Sequence, residues 1–267
     1  MLYALIAVLI LIITFFVCLL ILQKKMIFFP QTPSEIEDEI CLQMKDGTKI
    51  KGWIVENKLG EEKTNILLYF GGNKEEVSTI LEDMKRLKGW VVVLLNFRGY
   101  GSSEGKPSEK KLYSDSLEIY DHFSKLSDKY NTSKIVVMGR SLGSGIATYV
   151  ASQRNVSGVI LVSPYDRISN AAKYKFPKLS FIINIIFKLR FSFDSLSRAH
   201  MITAPLLVLA TPTDKSVPYP LSQNLLKAWK GPSKLVKIPD ETHRSLSNTS
   251  IYWNGIAEFL DNISNTM

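Results

Sequence analysis

The sequence predicts an α/β domain with a mostly parallel central sheet and helices on both faces. Short apolar runs of strand length alternate with longer segments of helical periodicity through most of the 267 residues. After an apolar N-terminal run and a short connector, about 235 residues remain, which suits one large α/β domain. No internal repeat or low-complexity block interrupts this pattern.

The first two strands, 36–45 and 48–55, turn at Asp46-Gly47 and are predicted to pair antiparallel. Strands and helices then alternate, and this alternation implies a sheet that is covered on both faces. We expect strands at 65–70, 91–96, 134–138, 158–163, 204–210 and 234–238, and helices at 76–88, 109–129, 143–153, 219–229 and 249–263.

The N-terminal segment predicts a transmembrane helix. Residues 2–22 form an apolar run of about the 20 residues that a membrane helix needs. A secretory signal fits less well, because the run is too long, lacks a charged start and has no cleavage site before Gln23. We therefore expect an uncleaved single-pass anchor over 1–25 and a domain over 26–267. Lys24 and Lys25 favour a cytoplasmic domain by the positive-inside rule.

The segment 166–203 breaks the alternation and is a candidate cap. Its apolar residues are Phe176, Phe181, Ile182, Ile183, Ile185, Ile186 and Phe187, and its basic residues include Lys173, Lys175, Lys178, Lys188 and Arg190. One hypothesis is a small lid that touches the bilayer and admits an acyl chain. The other is a helix whose apolar face simply packs on the sheet.

The charge and cysteine content exclude some function classes. The formal net charge of +8 comes from scattered lysines and arginines with no nucleic-acid motif, so nucleic acid is not a predicted partner. Attraction to anionic lipid headgroups is the simpler interpretation for an anchored protein. The two cysteines, Cys18 and Cys41, offer no disulfide framework.

A candidate nucleophile lies in the turn after the predicted strand 134–138. Gly139-Arg140-Ser141-Leu142-Gly143 matches G-x-S-x-G between a strand and a helix, a context that exposes the serine oxygen. The segment Gly101–Gly105, around Ser103, also matches, but it follows a polar loop and runs into Lys106-Pro107, where a helix begins poorly. The context favours Ser141 over Ser103.

A nucleophilic serine needs a histidine base, and His243 is the best placed. His122 precedes the nucleophile in a helical stretch, and His200 lies in an irregular segment. In folds that use this turn, the chain order is serine, then a carboxylate, then histidine. His243 follows the predicted strand 234–238 and fits that order.

The predicted carboxylate partner is Asp214, in the loop after the strand 204–210. Loops that follow parallel strands meet at one edge of the sheet, so Asp214 and His243 are expected beside Ser141. Asp240 and Glu241 are weaker alternatives, because they are too close to His243 in sequence to lie on a separate strand.

Two backbone N–H groups are candidates for the oxyanion hole. Leu142 follows the nucleophile and lies at the start of a helix. Asn73 follows Gly71-Gly72 after the strand 65–70, and these glycines let the backbone approach a substrate closely.

These motifs resemble those of α/β-hydrolases over roughly residues 36–264. The stretch Asn96–Gly105 is similar to the D-Y-R-G-Y-G-x-S-x-G stretch of the membrane-anchored, single-span branch of these proteins. The chain departs from the usual pattern in having Gly71-Gly72 where relatives have His-Gly, and Thr242 where they have glycine before the histidine. The resemblance implies the α/β-hydrolase fold and ester or thioester hydrolysis, with serine aminopeptidase-like proteins as relatives.

The predicted reaction is two-step acyl transfer. Ser141, with His243 as base and Asp214 orienting the ring, attacks an ester or thioester of a lipid or an acylated protein, and water hydrolyses the acyl-enzyme. The N–H groups of Leu142 and Asn73 hold the oxyanion. No metal or cofactor is implied. A peptidase with the same machinery and a catalytically silent membrane scaffold of the same fold remain the alternatives.

Overall fold

The computed structural model describes residues 1–37, 40–60, 63–189 and 191–265. Within them, eight strands form one sheet in the order β1-β2-β4-β3-β5-β6-β7-β8. β1 and β2 pair antiparallel, β2 pairs antiparallel with β4, and all other neighbours are parallel. The strands are β1 (Ile40–Gln43), β2 (Lys49–Glu56), β3 (Asn65–Phe70), β4 (Trp90–Leu95), β5 (Asn131–Arg140), β6 (Gly158–Val162), β7 (Leu206–Ala210) and β8 (Ser233–Lys237).

Helices cover both faces of the sheet, as the alternation predicts. The helices of the described residues are α1 (Leu2–Ile27), α2 (Leu81–Met84), α3 (Glu109–Phe123), α4 (Leu142–Gln153), α5 (Ile168–Lys175), α6 (Ser180–Leu189), α7 (Leu196–Ala199), α8 (Tyr219–Ala228) and α9 (Ser250–Asn265). In β4, Val91 and Val93 join the core that contains α3, α4 and α8, whereas Val92 joins the core on the opposite face with α9. This burial of both faces explains why the central strands are continuous apolar runs.

Two predicted helices are shorter than expected. The helix expected at 76–88 is a 3₁₀ turn, Val77–Ile80, followed by the one-turn α2. The Glu76 carboxylate accepts from the Ser78 N–H, and the Asn96 amide oxygen accepts from the Val77 N–H, so side chains hold this backbone in a turn. The helix expected to reach residue 129 ends at Phe123.

The helix α1 occupies the position of the predicted membrane anchor. Of its described side chains, Leu5 and Leu9 are exposed, whereas Gln23 and Ile27 are buried against the domain. Among the residues that the structure describes, no helix combines the length and the apolar character that crossing a membrane requires. The transmembrane anchor over 1–25 is therefore not confirmed. Several α1 side chains, including that of Cys18, lie outside the described part.

The candidate cap, 166–203, is helical and lies between β6 and β7. It contains α5, a 3₁₀ turn at Pro177–Leu179, α6 and α7. Ile183 and Phe187 are buried in the core, whereas Phe181 is 77% exposed. The segment thus has a packed face and an exposed apolar face. Arg190 and the side chains of Ile185, Ile186 and Lys188 lie outside the described residues.

Candidate active site

Ser141 lies in a strained turn between β5 and α4. Its backbone has φ 51° and ψ −113°, a conformation that L-residues rarely adopt. The Ser141 N–H donates to the Val162 carbonyl oxygen at 2.9 Å, and the Ser144 hydroxyl donates to the Ser141 carbonyl oxygen at 2.6 Å. These bonds hold a conformation that costs on the order of 1–3 kcal/mol, and such strain is concentrated at functional sites.

Two glycines of the motif are required by close backbone contacts. A Cβ atom at Gly139 would lie 2.3 Å from the Gly143 carbonyl oxygen, and one at Gly143 would lie 2.0 Å from the Phe70 carbonyl oxygen. No real Cβ makes such contacts, so β3, β5 and α4 approach this closely only with glycine at both positions.

Asp214 and His243 come from loops after β7 and β8 and form a hydrogen-bonded pair. Asp214 Oδ2 lies 2.7 Å from His243 Nδ1. Asp214 Oδ1 accepts from the N–H groups of Ser216 and Val217, both at 2.8 Å. The Asp214 side chain is 2% exposed and that of His243 is 17% exposed. The carboxylate is therefore fixed from behind, and the imidazole edge faces solvent.

The charge state of Asp214 suits a role as an orienting carboxylate. Burial raises the pKa of Asp214, but the hydrogen bond with His243 and the two backbone N–H donors outweigh it, so the pKa lies below its ordinary value. The ionised carboxylate favours a proton on Nδ1 of the ring. Nε2 is then the nitrogen that can accept a proton from a nucleophile.

Ser141 and His243 line the same open cavity, of about 960 Å³. Asp214 lies directly behind His243, so the structure brings all three predicted triad residues to one rim of the sheet. The hydrogen bonds of the described residues include none from Ser141 Oγ to the His243 ring. Such catalytic hydrogen bonds are often long before substrate binds.

The two candidate oxyanion donors, Leu142 and Asn73, also line this cavity. Leu142 is the first residue of α4, where an N–H has no partner within the helix. The Asn73 carbonyl oxygen accepts from the Phe29 N–H at 3.2 Å and from the Tyr100 hydroxyl at 3.1 Å. Burial raises the pKa of Tyr100, so its hydroxyl stays protonated and able to donate. These bonds fix the Asn73 loop from behind.

Arg140 and Glu75 form a network that no sequence motif indicates. Arg140 Nη2 donates to the carbonyl oxygens of His243 and Arg244 at 3.3 and 3.4 Å, and Nη1 lies 3.4 Å from Glu75 Oε2. Glu75 also accepts from the Tyr69 hydroxyl at 2.6 Å and the Gly72 N–H at 3.0 Å. The network therefore joins the serine turn, the His243 loop and the Asn73 loop. The sequence signal for this network is Arg140 itself, a charged residue beside the serine in an otherwise apolar segment.

The second G-x-S-x-G match, around Ser103, lies in a loop that holds elements of the fold together. Ser103 is buried, and its hydroxyl oxygen accepts from the Lys51 N–H at 2.9 Å. In the same loop, Arg98 forms a buried ion pair with Asp115 at 2.5 Å and a second pair with Asp46 at 3.0 Å. The loop thus anchors the first strands to α3.

The other titratable candidates have no hydrogen bond to the side chains of the Asp214–His243 pair in the part of the chain that the structure describes. His122 is on α3 and His200 follows α7. Asp240 is exposed, with φ 59°, and Glu241 contributes its carbonyl oxygen to the Thr211 and Thr213 hydroxyls. In the described hydrogen bonds, the His243 ring is joined to Asp214 and to neither Asp240 nor Glu241.

Comparisons with known proteins agree with this fold. A family model described as the alpha/beta hydrolase fold matches residues 70–182. The Arabidopsis thaliana alpha/beta hydrolase domain-containing protein WAV2 is 29% identical over 87% of this chain and 82% of its own length. A Saccharomyces cerevisiae protein named as an uncharacterized membrane protein is 29% identical over 84% of this chain and 79% of its own length.

A solved structure also shares this fold. The Pyrococcus furiosus esterase Pf2001 superimposes with a TM-score of 0.65 at 18% identity, covering 88% of this chain and 99% of the esterase. The chain has the alpha/beta hydrolase fold. The comparisons do not confirm the membrane-anchored, single-span branch.

Proposed function

We propose that this protein is a serine hydrolase that cleaves carboxylic ester or thioester bonds. The observation that carries the proposal is the 2.7 Å Asp214–His243 hydrogen bond at the wall of the cavity that also contains Ser141. A strained serine turn, a histidine with a fixed tautomer and two candidate oxyanion donors together suit acyl transfer.

In the proposed mechanism, His243 Nε2 accepts the Ser141 hydroxyl proton as Oγ attacks the substrate carbonyl carbon. Asp214 holds the ring and stabilises the imidazolium that forms. The N–H groups of Leu142 and Asn73 donate to the oxyanion, and protonated His243 gives its proton to the leaving group. Water, deprotonated by His243, then attacks the acyl-enzyme, and His243 returns that proton to Ser141 Oγ as the acid is released.

We also propose that α1 attaches the protein to a lipid bilayer, with the domain on the cytoplasmic side. Exposed apolar residues of α1, such as Leu5, Leu9 and Phe15, would be stabilised in lipid. Lys24 and Lys25 follow the apolar run on the side of the domain, as the positive-inside rule requires. The yeast relative's name as a membrane protein supports this proposal. Fractionation of cells that express the full chain tests the attachment to the bilayer. Recovery of the protein in the supernatant after lysis without detergent would contradict the attachment.

The catalytic proposal is tested by hydrolysis of p-nitrophenyl butyrate with the purified full chain. Ser141→Ala is expected to reduce the rate to that of buffer, because no other group replaces the nucleophile. Ser103→Ala, which changes the serine of the other G-x-S-x-G match, is the control and should hydrolyse the ester at a rate proportional to its folded fraction. Wild-type activity in Ser141→Ala would refute the proposal, and an aminoacyl amide cleaved faster than the ester would favour a peptidase.

A further inference from the structure

The cavity beside Ser141 carries an excess of positive charge. The side chains of Lys74, Lys175, Lys215 and Arg244 line it. In the described part of the chain, none of these four forms an ion pair with a carboxylate. Lys74 Nζ lies 4.5 Å from the centre of the Phe29 ring, which holds it at the cavity wall.

The acidic groups near the cavity do not cancel this charge. Glu75 balances Arg140 and is also bonded to the Tyr69 hydroxyl. Glu76 also lines the cavity, but it is buried and bonded to Ser78 and to the Asn96 amide. Asp214 is paired with His243. Two buried carboxylates therefore remain against four exposed cations.

The four cations line the same cavity as Ser141 and His243. Lys74 follows Asn73 in the chain, Lys215 follows Asp214, and Arg244 follows His243, so three separate loops each place a cation next to a residue of the proposed site. Lys175 ends the cap helix α5 and also lines the cavity.

Part of the remaining wall is apolar. Ile168, Ala171 and Phe176 of the cap segment line the cavity together with Phe187 of α6 and Ile27 at the end of α1. A ligand that fills this cavity would therefore place an apolar group between α1 and the cap and a polar group near the cations.

We infer that the substrate is an amphiphilic ester or thioester that carries a carboxylate or phosphate close to the scissile bond. This inference rests on the proposed function and adds the charge of the substrate to it. A cleft of one charge sign concentrates ligands of the opposite sign, and the effect on association is about tenfold or more at low salt.

The test compares charged and neutral substrates of matched reactivity. For charge on the acid part, p-nitrophenyl hemiglutarate is compared with its neutral glutaramate analogue. For charge on the leaving group, 4-butyryloxy-3-nitrobenzoate is compared with 4-butyryloxy-3-nitrobenzamide. The spontaneous hydrolysis rate of each compound, measured without protein, is subtracted from its rate with protein. We expect kcat/KM of at least one anionic substrate to exceed that of its neutral partner about tenfold, and the ratio to fall as NaCl is raised to about 0.5 M.

Charge-removing variants locate the effect. Lys74→Met, Lys215→Met and Arg244→Gln are each expected to lower the anionic-to-neutral ratio about twofold to threefold, since each removes one of several charges. Lys227→Met, on an exposed turn of α8 away from the cavity, should leave the ratio unchanged. The anionic pair with the larger ratio shows whether the charge lies on the acid or the leaving group.

The outcomes separate the two proposals. Equal rates for charged and neutral partners, unaltered by salt and by the three variants, would overturn the inference while leaving ester hydrolysis in place. Absence of Ser141-dependent hydrolysis of every compound would overturn the proposed function and this inference with it.

Discussion

Asp214→Asn is expected to remove most of the hydrolytic activity and to leave the fold intact. The amide oxygen of asparagine can still accept the 2.8 Å bonds from the N–H groups of Ser216 and Val217. Its NH₂ group then faces His243 Nδ1, where Asp214 Oδ2 lies at 2.7 Å. Since the NH₂ group donates, Nδ1 must accept, and the ring proton moves to Nε2.

A ring protonated at Nε2 cannot accept the proton of Ser141. By this tautomer argument kcat should fall about 10⁴-fold, which corresponds to about 5.4 kcal/mol of transition-state stabilisation at 1.36 kcal/mol per factor of ten. The assay is kcat for p-nitrophenyl butyrate, with circular dichroism to show that the variant is folded. Asp240→Asn is the matched control, because Asp240 is an exposed carboxylate three residues before His243 and asparagine tolerates its φ of 59°.

A folded Asp214→Asn variant that loses less than about tenfold in kcat would refute the orienting role of Asp214. Loss of activity in Asp240→Asn instead would assign that role to the neighbouring carboxylate. The substitution also has a pH signature. Because the pKa of Asp214 in the folded protein lies below its ordinary value of 3.8, its ionised form stabilises the fold above that pH. The stability difference between wild type and Asp214→Asn should shrink as the pH falls below about 4.

Three further predictions follow from the packing of the site. Gly143→Ala places a Cβ 2.0 Å from the Phe70 carbonyl oxygen. The strain should cost about 3 kcal/mol, which lowers the melting temperature by roughly 6–12 °C. An unchanged melting temperature would contradict the close contact. Arg140→Met should lower kcat more than it changes KM, because the His243 loop loses its bonds to the guanidinium. Adding Glu75→Gln should restore stability but not kcat, since it removes the buried charge left without a partner. Recovery of both stability and kcat would reduce Arg140 to a structural role. Phe176→Ser should weaken hydrolysis of p-nitrophenyl dodecanoate more than that of the butyrate, because Phe176 lines the cavity. Phe181→Ser changes an exposed residue of the same segment and should affect both esters equally. Equal losses on both esters in Phe176→Ser would contradict an acyl-binding cap.

The central strands could be predicted from the sequence because burial leaves a direct compositional signal. The strand expected at 65–70 has those bounds in β3, since its side chains lie on both covered faces of the sheet. β5 begins three residues before its predicted start, because Asn131 pairs with Asn65 through the backbone and gives no apolar signal. The prediction of one helix over 76–88 was wrong, because hydrogen bonds to the side chains of Glu76 and Asn96 replace helical hydrogen bonds there.

The candidate site was predictable in part, for a similar reason. The serine turn and the order of the loops are local or topological, so Ser141, Asp214 and His243 could be selected by sequence alone. The Arg140–Glu75 pair joins residues 65 positions apart, and the four cavity cations come from distant loops and the cap, so only the folded chain shows them together. α1 illustrates the opposite case: its apolar run predicts a membrane span, which the structure does not confirm.

The most direct test of the central claim is the position at which a fluorophosphonate probe attaches to the folded chain. The probe reacts only with a serine whose hydroxyl is activated by a neighbouring base. Mass spectrometry of the labelled, proteolysed chain should find the adduct on Ser141, at a rate that falls steeply in Asp214→Asn. No adduct on the folded protein, or an adduct on another serine such as Ser103, would contradict the account.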